Sequence, residues 1–143
     1  MRRTLWRVVS LVFVVGLALI ACDGPNRSQS PSSASGFILE VTISPNVLRG
    51  ATPGTNETQG GCGAVQVTVV DVHGRFVDGA VVVVATTLGR FPPTSTRQEA
   101  VGVSGFTTRG VYTDVLCAKA ERGTGILTAT AENAVATATF TVF

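Results

Sequence analysis

Histidine, tryptophan and tyrosine each occur once in the chain. The lone histidine, His73, lies in a His-Gly turn with no partner beside it in sequence, and general acid–base chemistry needs a positioned partner. The sparse aromatics offer no stacking platform for single-stranded nucleic acid. No phosphate-binding loop occurs, and no Asp-rich loop has calcium-ligand spacing. Gly102-Val103-Ser104-Gly105-Phe106 begins like a nucleophile elbow, but Phe106 stands where the second glycine belongs and the strand–turn–helix context is missing. The 9 Asp and Glu residues are scattered singly, without the close carboxylate pair of glycoside hydrolysis. These absences predict no catalytic residue, no metal site and no cofactor. Helical periodicity is missing after Ala21, and the β-branched content disfavours helix further.

Charge and hydropathy are concentrated at the N-terminus. Arg2, Arg3 and Arg7 precede an apolar run from Val8 to Ala21 that is broken only by Ser10. Its length suits a secretory signal better than a spanning helix, which needs about 20 apolar residues. The run closes on Leu19-Ile20-Ala21-Cys22. That tetrad resembles the lipobox of bacterial lipoproteins, which implies cleavage before Cys22, removal of residues 1–21 and lipidation of the Cys22 thiol. Two or more acyl chains give stable anchoring, at about 0.8 kcal/mol per buried methylene. The resemblance therefore implies a membrane partner through lipid on Cys22. It places the domain in the periplasm or at the cell surface, anchored to the inner or outer membrane. The full chain has 11 Lys and Arg against 9 Asp and Glu, and three of those arginines leave with the signal, so the mature charge is 8 − 9 = −1. No basic patch then argues for nucleic acid.

With Cys22 assigned to lipid, Cys62 and Cys117 remain. An even pair in an oxidising compartment reads as a disulfide, with two buried thiols or half of a metal site as the alternatives. No second Cys or His lies within two to four residues of either, which disfavours zinc.

Residues 24–36 (GPNRSQSPSSASG) are rich in Ser, Pro and Gly and predict a flexible tether over 22–36, about 20 Å long on average. From residue 37 the pattern changes to period two. Leu39, Val41 and Ile43 alternate with polar residues, as do Val65, Val67 and Val69, then Leu127, Ala129 and Ala131, then Ala136, Ala138, Phe140 and Val142. Each reads as a half-buried strand. Ala80–Ala85 is a continuous apolar run suited to a central strand, and Val111–Ala118 is a further strand. About seven strands over residues 37–143 predict an all-β, antiparallel sandwich. A closed outer-membrane barrel, suggested by the final Phe143, is disfavoured because the outward positions of the last strand are mostly threonine.

The segment Val67-Thr68-Val69-Val70-Asp71-Val72-His73-Gly74-Arg75-Phe76-Val77-Asp78-Gly79-Ala80 resembles the hairpin of bacterial immunoglobulin-like group 1 domains, the modules of invasin and intimin stalks. Thr86-Thr87-Leu88-Gly89, Leu127–Ala131 and Ala136–Phe140 extend the likeness, which runs from about Val65 to Val142. Phe76 stands where that family usually has proline, and the two cysteines are not part of its pattern. The resemblance implies an immunoglobulin-like fold in which the second strand pairs antiparallel with the fifth. That pairing would set Cys62 beside Cys117 and close a loop of 117 − 62 = 55 residues.

The function expected from these readings is a non-enzymatic, lipid-anchored envelope module. It would act in adhesion, surface display or as an interaction subunit, toward a protein or glycan partner. A carbohydrate- or peptidoglycan-binding module is the alternative. It is weakened because Trp6 leaves with the signal and such sites rely on exposed aromatic platforms. End loops are the usual contact surface of a sandwich. The loop 50–63 and the segment 88–106 are the candidates, with Phe91 and Phe106 as possible apolar anchors and core packing as the competing role for both.

Overall fold

The structure, a computed structural model, describes residues 28–29, 36–53 and 60–143. It contains β1 (Ser28–Gln29), β2 (Phe37–Ser44), β3 (Val47–Leu48), β4 (Cys62–Asp71), β5 (Val81–Thr86), β6 (Gly102–Phe106), β7 (Val111–Cys117), β8 (Gly123–Ala131) and β9 (Ala134–Val142). The strands form two sheets, ordered β1-β2-β4-β7 and β3-β9-β8-β5-β6. All pairs are antiparallel except β3–β9. This is the all-β sandwich of two sheets that the alternation predicts.

Every period-two set points its apolar members inward. Leu39, Val41 and Ile43 of β2, Val65, Val67 and Val69 of β4, and Leu127 and Ala129 of β8 are buried in one core. From β9, Ala136, Ala138, Phe140 and Val142 join them. Fully burying a Val, Leu, Ile or Phe side chain contributes about 1.5–3 kcal/mol, so the alternation specifies face and register together. The continuous run at β5 also alternates: Val82 and Val84 are buried, whereas Val81 and Val83 face solvent. The β7 parity, unreadable from sequence, places Tyr112 and Leu116 inward.

Three features depart from the sequence reading. First, β4 and β5 belong to different sheets, so residues 72–80 form a turn and crossing link rather than a hairpin that pairs β4 with β5. The chain first folds back on β4, where Val77 donates its N–H to the Val69 carbonyl at 3.0 Å. It then passes to the other sheet, where Ala80 accepts from Thr107 N–H at 2.9 Å. Buried Thr107 fixes the crossing: its hydroxyl donates to Val77 O at 2.7 Å and accepts from Ala80 N–H at 2.9 Å. Second, Gly102–Phe106 is a strand, β6, paired with β5 from Val81↔Phe106 to Ala85↔Gly102. Third, the segment read as a free tether contributes β1, which pairs with β2 through Ser28↔Val41 and Gln29↔Glu40.

The sandwich has two poles. At one, β2 ends at Ser44, β4 begins at Cys62 and β7 ends at Cys117. The Ser44–Pro45 peptide, which is cis, lies at this pole, where the chain leaves β2 for β3 in the opposite sheet. The other pole carries the 72–80 link, the 107–110 turn and the Glu132-Asn133 turn.

Candidate functional site

At the first pole, Cys62 and Cys117 face each other as a register pair across β4 and β7. They form a disulfide with a Cα–Cα separation of 4.0 Å. Cys117 is buried and Cys62 exposed. The Cys117 backbone N–H and C=O both bond to Arg90, at 2.9 Å each, so the covalent clip is continuous with the segment that follows β5.

That segment, residues 87–101, is a strap across the open side of the sandwich. It leaves the β5–β6 sheet, crosses to the β7 edge of the other sheet and returns. Phe91 and Ala100 exchange backbone hydrogen bonds at 2.8 and 3.1 Å, which closes the strap on itself. Lys119 pairs with Glu99 near its end. Its central tie is Arg97, whose guanidinium forks onto Asp114 of β7, with Nη1 to Oδ2 at 2.6 Å and Nη2 to Oδ1 at 3.2 Å. Nη2 also donates to Pro92 O at 3.0 Å. The guanidinium carbon lies 6.0 Å from the Phe91 ring centroid, within reach of a cation–π contact. Buried Nε has no hydrogen-bond partner.

The Tyr112 hydroxyl donates to Asp114 Oδ2 at 2.9 Å, and Val115 N–H donates to Oδ1 at 2.7 Å. Burial pushes the Asp114 carboxyl upward, but the Arg97 fork, the Val115 N–H and the Tyr112 hydroxyl together outweigh it and hold the group below its ordinary value. Burial, followed by the hydrogen bond to anionic Asp114, pushes the Tyr112 phenol up to about 12. Bonding to Asp114 raises the Arg97 guanidinium against the opposing effect of burial. All three groups are thus held in their ordinary neutral-pH charge states, as members of a structural tie. The Tyr112 ring covers Gly105 of β6, where an added Cβ would sit 2.3 Å from Cε2. Tyr112 therefore joins the two edge strands, β7 and β6, across the sheets.

At the second pole, Asp71 organises the turn. Its Oδ1 accepts from His73 N–H at 2.8 Å and Arg75 N–H at 3.0 Å, and its Oδ2 accepts from Arg75 Nε at 2.8 Å. Hydrogen bonds from Arg75, backbone first and then side chain, lower its carboxyl to about 2. The His73 ring is exposed, with Nδ1 3.8 Å from Asp71 Oδ2. Exposed apolar side chains gather around this pole: Val72 is 57%, Phe76 66%, Val81 54% and Phe106 70% exposed. Phe76 nonetheless has a fixed seat, because Gly110 lies under its ring and any Cβ there would come within 2.6 Å of the Phe76 Cβ.

The structure separates the two candidate anchors. Phe106 is exposed at the second pole, whereas Phe91 is 0% exposed and packs in the core beneath Arg97. Phe91 is thus no contact residue: the strap folds inward and its apolar side chain goes with it. Cys22 lies outside the described residues, as does the 54–59 part of the candidate loop 50–63. Among the described residues, no group of three or more His, Cys, Asp or Glu side chains is placed to hold a metal ion. The Tyr112–Asp114–Arg97 tie and the exposed Phe76 escaped the sequence reading. Arg97 and Asp114 are 17 residues apart in chain order, and no local pattern couples them. The chain matches no family model, and no curated protein is significantly similar to it.

Proposed function

We propose that the chain is a non-enzymatic lipoprotein of the bacterial cell envelope. Its sandwich, a bacterial immunoglobulin-like group 1 module, acts in adhesion, surface display or as an interaction subunit. The observation that carries this reading is the division of labour between the poles. Strand β1 pairs so that Ser28 is its residue nearer the disulfide pole, and Cys22 lies only 28 − 22 = 6 residues before it in sequence. The exposed apolar side chains Val72, Phe76 and Phe106 gather at the opposite pole. A surface of that kind, held away from the anchor, suits contact with a macromolecule. Residues 19–22 supply the address and the pole supplies the contact.

Labelling with an alkyne fatty acid tests the address. The wild-type chain incorporates label and fractionates with membranes, and Cys22→Ser abolishes both. An unlabelled wild-type chain refutes the anchor. Capture of binding partners from envelope extracts, compared with Phe76→Ser, tests the contact pole. Equal capture by both proteins refutes a role for Phe76 in it.

A further inference from the structure

Strand β6 ends its sheet, bonded on one side to β5. Its register determines which backbone groups that bonding uses. Val101 O accepts from Thr86 N–H, Thr107 N–H donates to Ala80 O, and Thr107 O accepts from Gly79 N–H, each at 2.9 Å. In an antiparallel ladder every second residue faces the same neighbour. Val103 and Gly105 therefore also face β5, and Gly102, Ser104 and Phe106 turn their N–H and C=O groups out of the sheet edge. Exposed edges are usually protected by charge, proline or a bulge. The run 100–108 contains no charged residue and no proline. The neighbouring β7 edge, by contrast, is covered by the strap and its Arg97–Asp114 pair.

We propose that β6 pairs antiparallel with the β6 of a second copy, about a two-fold axis through Ser104. In that register Ser104 faces its own counterpart and Gly102 faces the second copy's Phe106. Every outward backbone donor and acceptor of the three residues then meets a complement, as in strand-addition interfaces. The register also sets the ring of Phe106, 70% exposed in the single copy, over a glycine. The molecule already uses that arrangement internally: Phe140 covers Gly125, its register partner across β8 and β9, and Tyr112 covers Gly105. Because the strand is uncharged, self-pairing sets no like charges opposite one another.

The pairing has a membrane consequence, which rests on the lipid reading of Cys22. Ser28 lies opposite Val41 and Gln29 opposite Glu40, so Ser28 is the β1 residue nearer the disulfide pole. Strand β6 begins at that same pole, with Gly102 opposite Ala85 just before the strap meets Cys117. The six residues from Cys22 to Ser28 reach at most about 20 Å when fully extended. A two-fold antiparallel pairing reverses the direction of β1 in the second copy. The two β1 strands are thus entered from opposite poles, and on the lipid reading of Cys22 the pair joins facing membranes rather than neighbours within one. Each contact is small, and multivalency across the apposed surfaces supplies the avidity.

The test uses the full-length lipidated protein. Under mild oxidation, Ser104→Cys forms dimers linked through residue 104 at least tenfold faster than the exposed control Ser95→Cys, with the linked position identified by peptide mapping. Paired strands hold hydrogen-bonded Cα atoms about 5.5 Å apart, within disulfide reach. Equal rates overturn the pairing. In phosphatidylethanolamine/phosphatidylglycerol vesicles, wild-type protein clusters the vesicles by light scattering. Ser104→Lys, which sets like charges face to face, reduces clustering at least tenfold while leaving the circular dichroism spectrum unchanged. Vesicles that stay dispersed while Ser104→Cys still cross-links overturn the facing-membrane geometry. Failure of the anchor itself is seen separately, as protein absent from the vesicles, and the cross-linking still decides the pairing.

Discussion

Small residues in this fold are defined by the rings above them. Gly105 is the clearest case, because a Cβ at that position would meet Tyr112 Cε2 at 2.3 Å and Cδ2 at 2.9 Å. The ring cannot withdraw without breaking its 2.9 Å hydrogen bond to Asp114. Gly105→Ala is therefore expected to destabilise the domain by about 1–3 kcal/mol, the usual cost of overpacking, measured as a lowered urea midpoint. An unchanged midpoint would show that the ring has room the structure does not give it. Asp71 makes an opposite, surface case. Its carboxyl, lowered to about 2 by Arg75 and His73, contributes stability that is fully present above the ordinary carboxylate value near 3.8 and is lost as pH falls from there toward 2. Carbon-detected NMR titration should place its midpoint near 2, and Arg75→Ala should move that midpoint upward.

At the scale of elements, the strands were legible and the strap was not. Period-two alternation in β2, β4, β8 and β9 is a local signal, since each inward side chain is decided by the pleat of its own strand. Strand β6 escaped because Gly102 and Gly105 leave Val103 as its single large inward side chain, and glycine at both ends of the run reads as a turn. The strap escaped for a different reason. Its ties join Arg97 to Asp114 and Arg90 to Cys117 across two sheets, and no periodicity encodes a partner in another sheet. The candidate site was legible to a similar degree: of the two phenylalanines offered as contact anchors or core residues, Phe106 is exposed and Phe91 takes the core role, a choice the sequence left open because a loop's apolar residue does not announce which way the loop folds.

The same tie yields an optical prediction. Tyr112 is the chain's single tyrosine, so its ionisation can be followed at 295 nm without ambiguity. The folded protein should titrate near 12, and the unfolded chain near the ordinary value of 10. A phenol raised on folding leaves stability intact below about 10 and removes it as pH climbs from 10 toward 12. Asp114→Asn removes the neighbouring negative charge and should lower the folded midpoint toward 10, although burial of the ring keeps it raised. The same substitution should loosen residues 92–98 to limited proteolysis. A Tyr112 midpoint unchanged by Asp114→Asn would refute the electrostatic coupling.

For the whole molecule, one covalent link sets the scale of stability. The Cys62–Cys117 bridge spans 55 residues, and closing a loop of that length stabilises by about 4 kcal/mol in the chain-entropy model. Domains of this size are stable by only about 5–15 kcal/mol in total, so the bridge separates a robust fold from a marginal one. The effect acts on the unfolded chain, which predicts how two perturbations should compare. Reduction of the wild-type protein and the double substitution Cys62→Ala/Cys117→Ala should lower stability by similar amounts, about 4 kcal/mol, read from urea midpoints. The slopes should be equal or slightly steeper, because the unlinked unfolded chain exposes more surface. The native β4–β7 register should survive both changes, since its backbone pairing runs on from Gly63↔Leu116 to Thr68↔Val111 without the sulfurs. If reduction costs less than about 1 kcal/mol, loop closure is not what the bridge contributes. If both changes also abolish the β4–β7 pairing in amide exchange, the bridge is holding the native sheet together rather than restricting the unfolded chain.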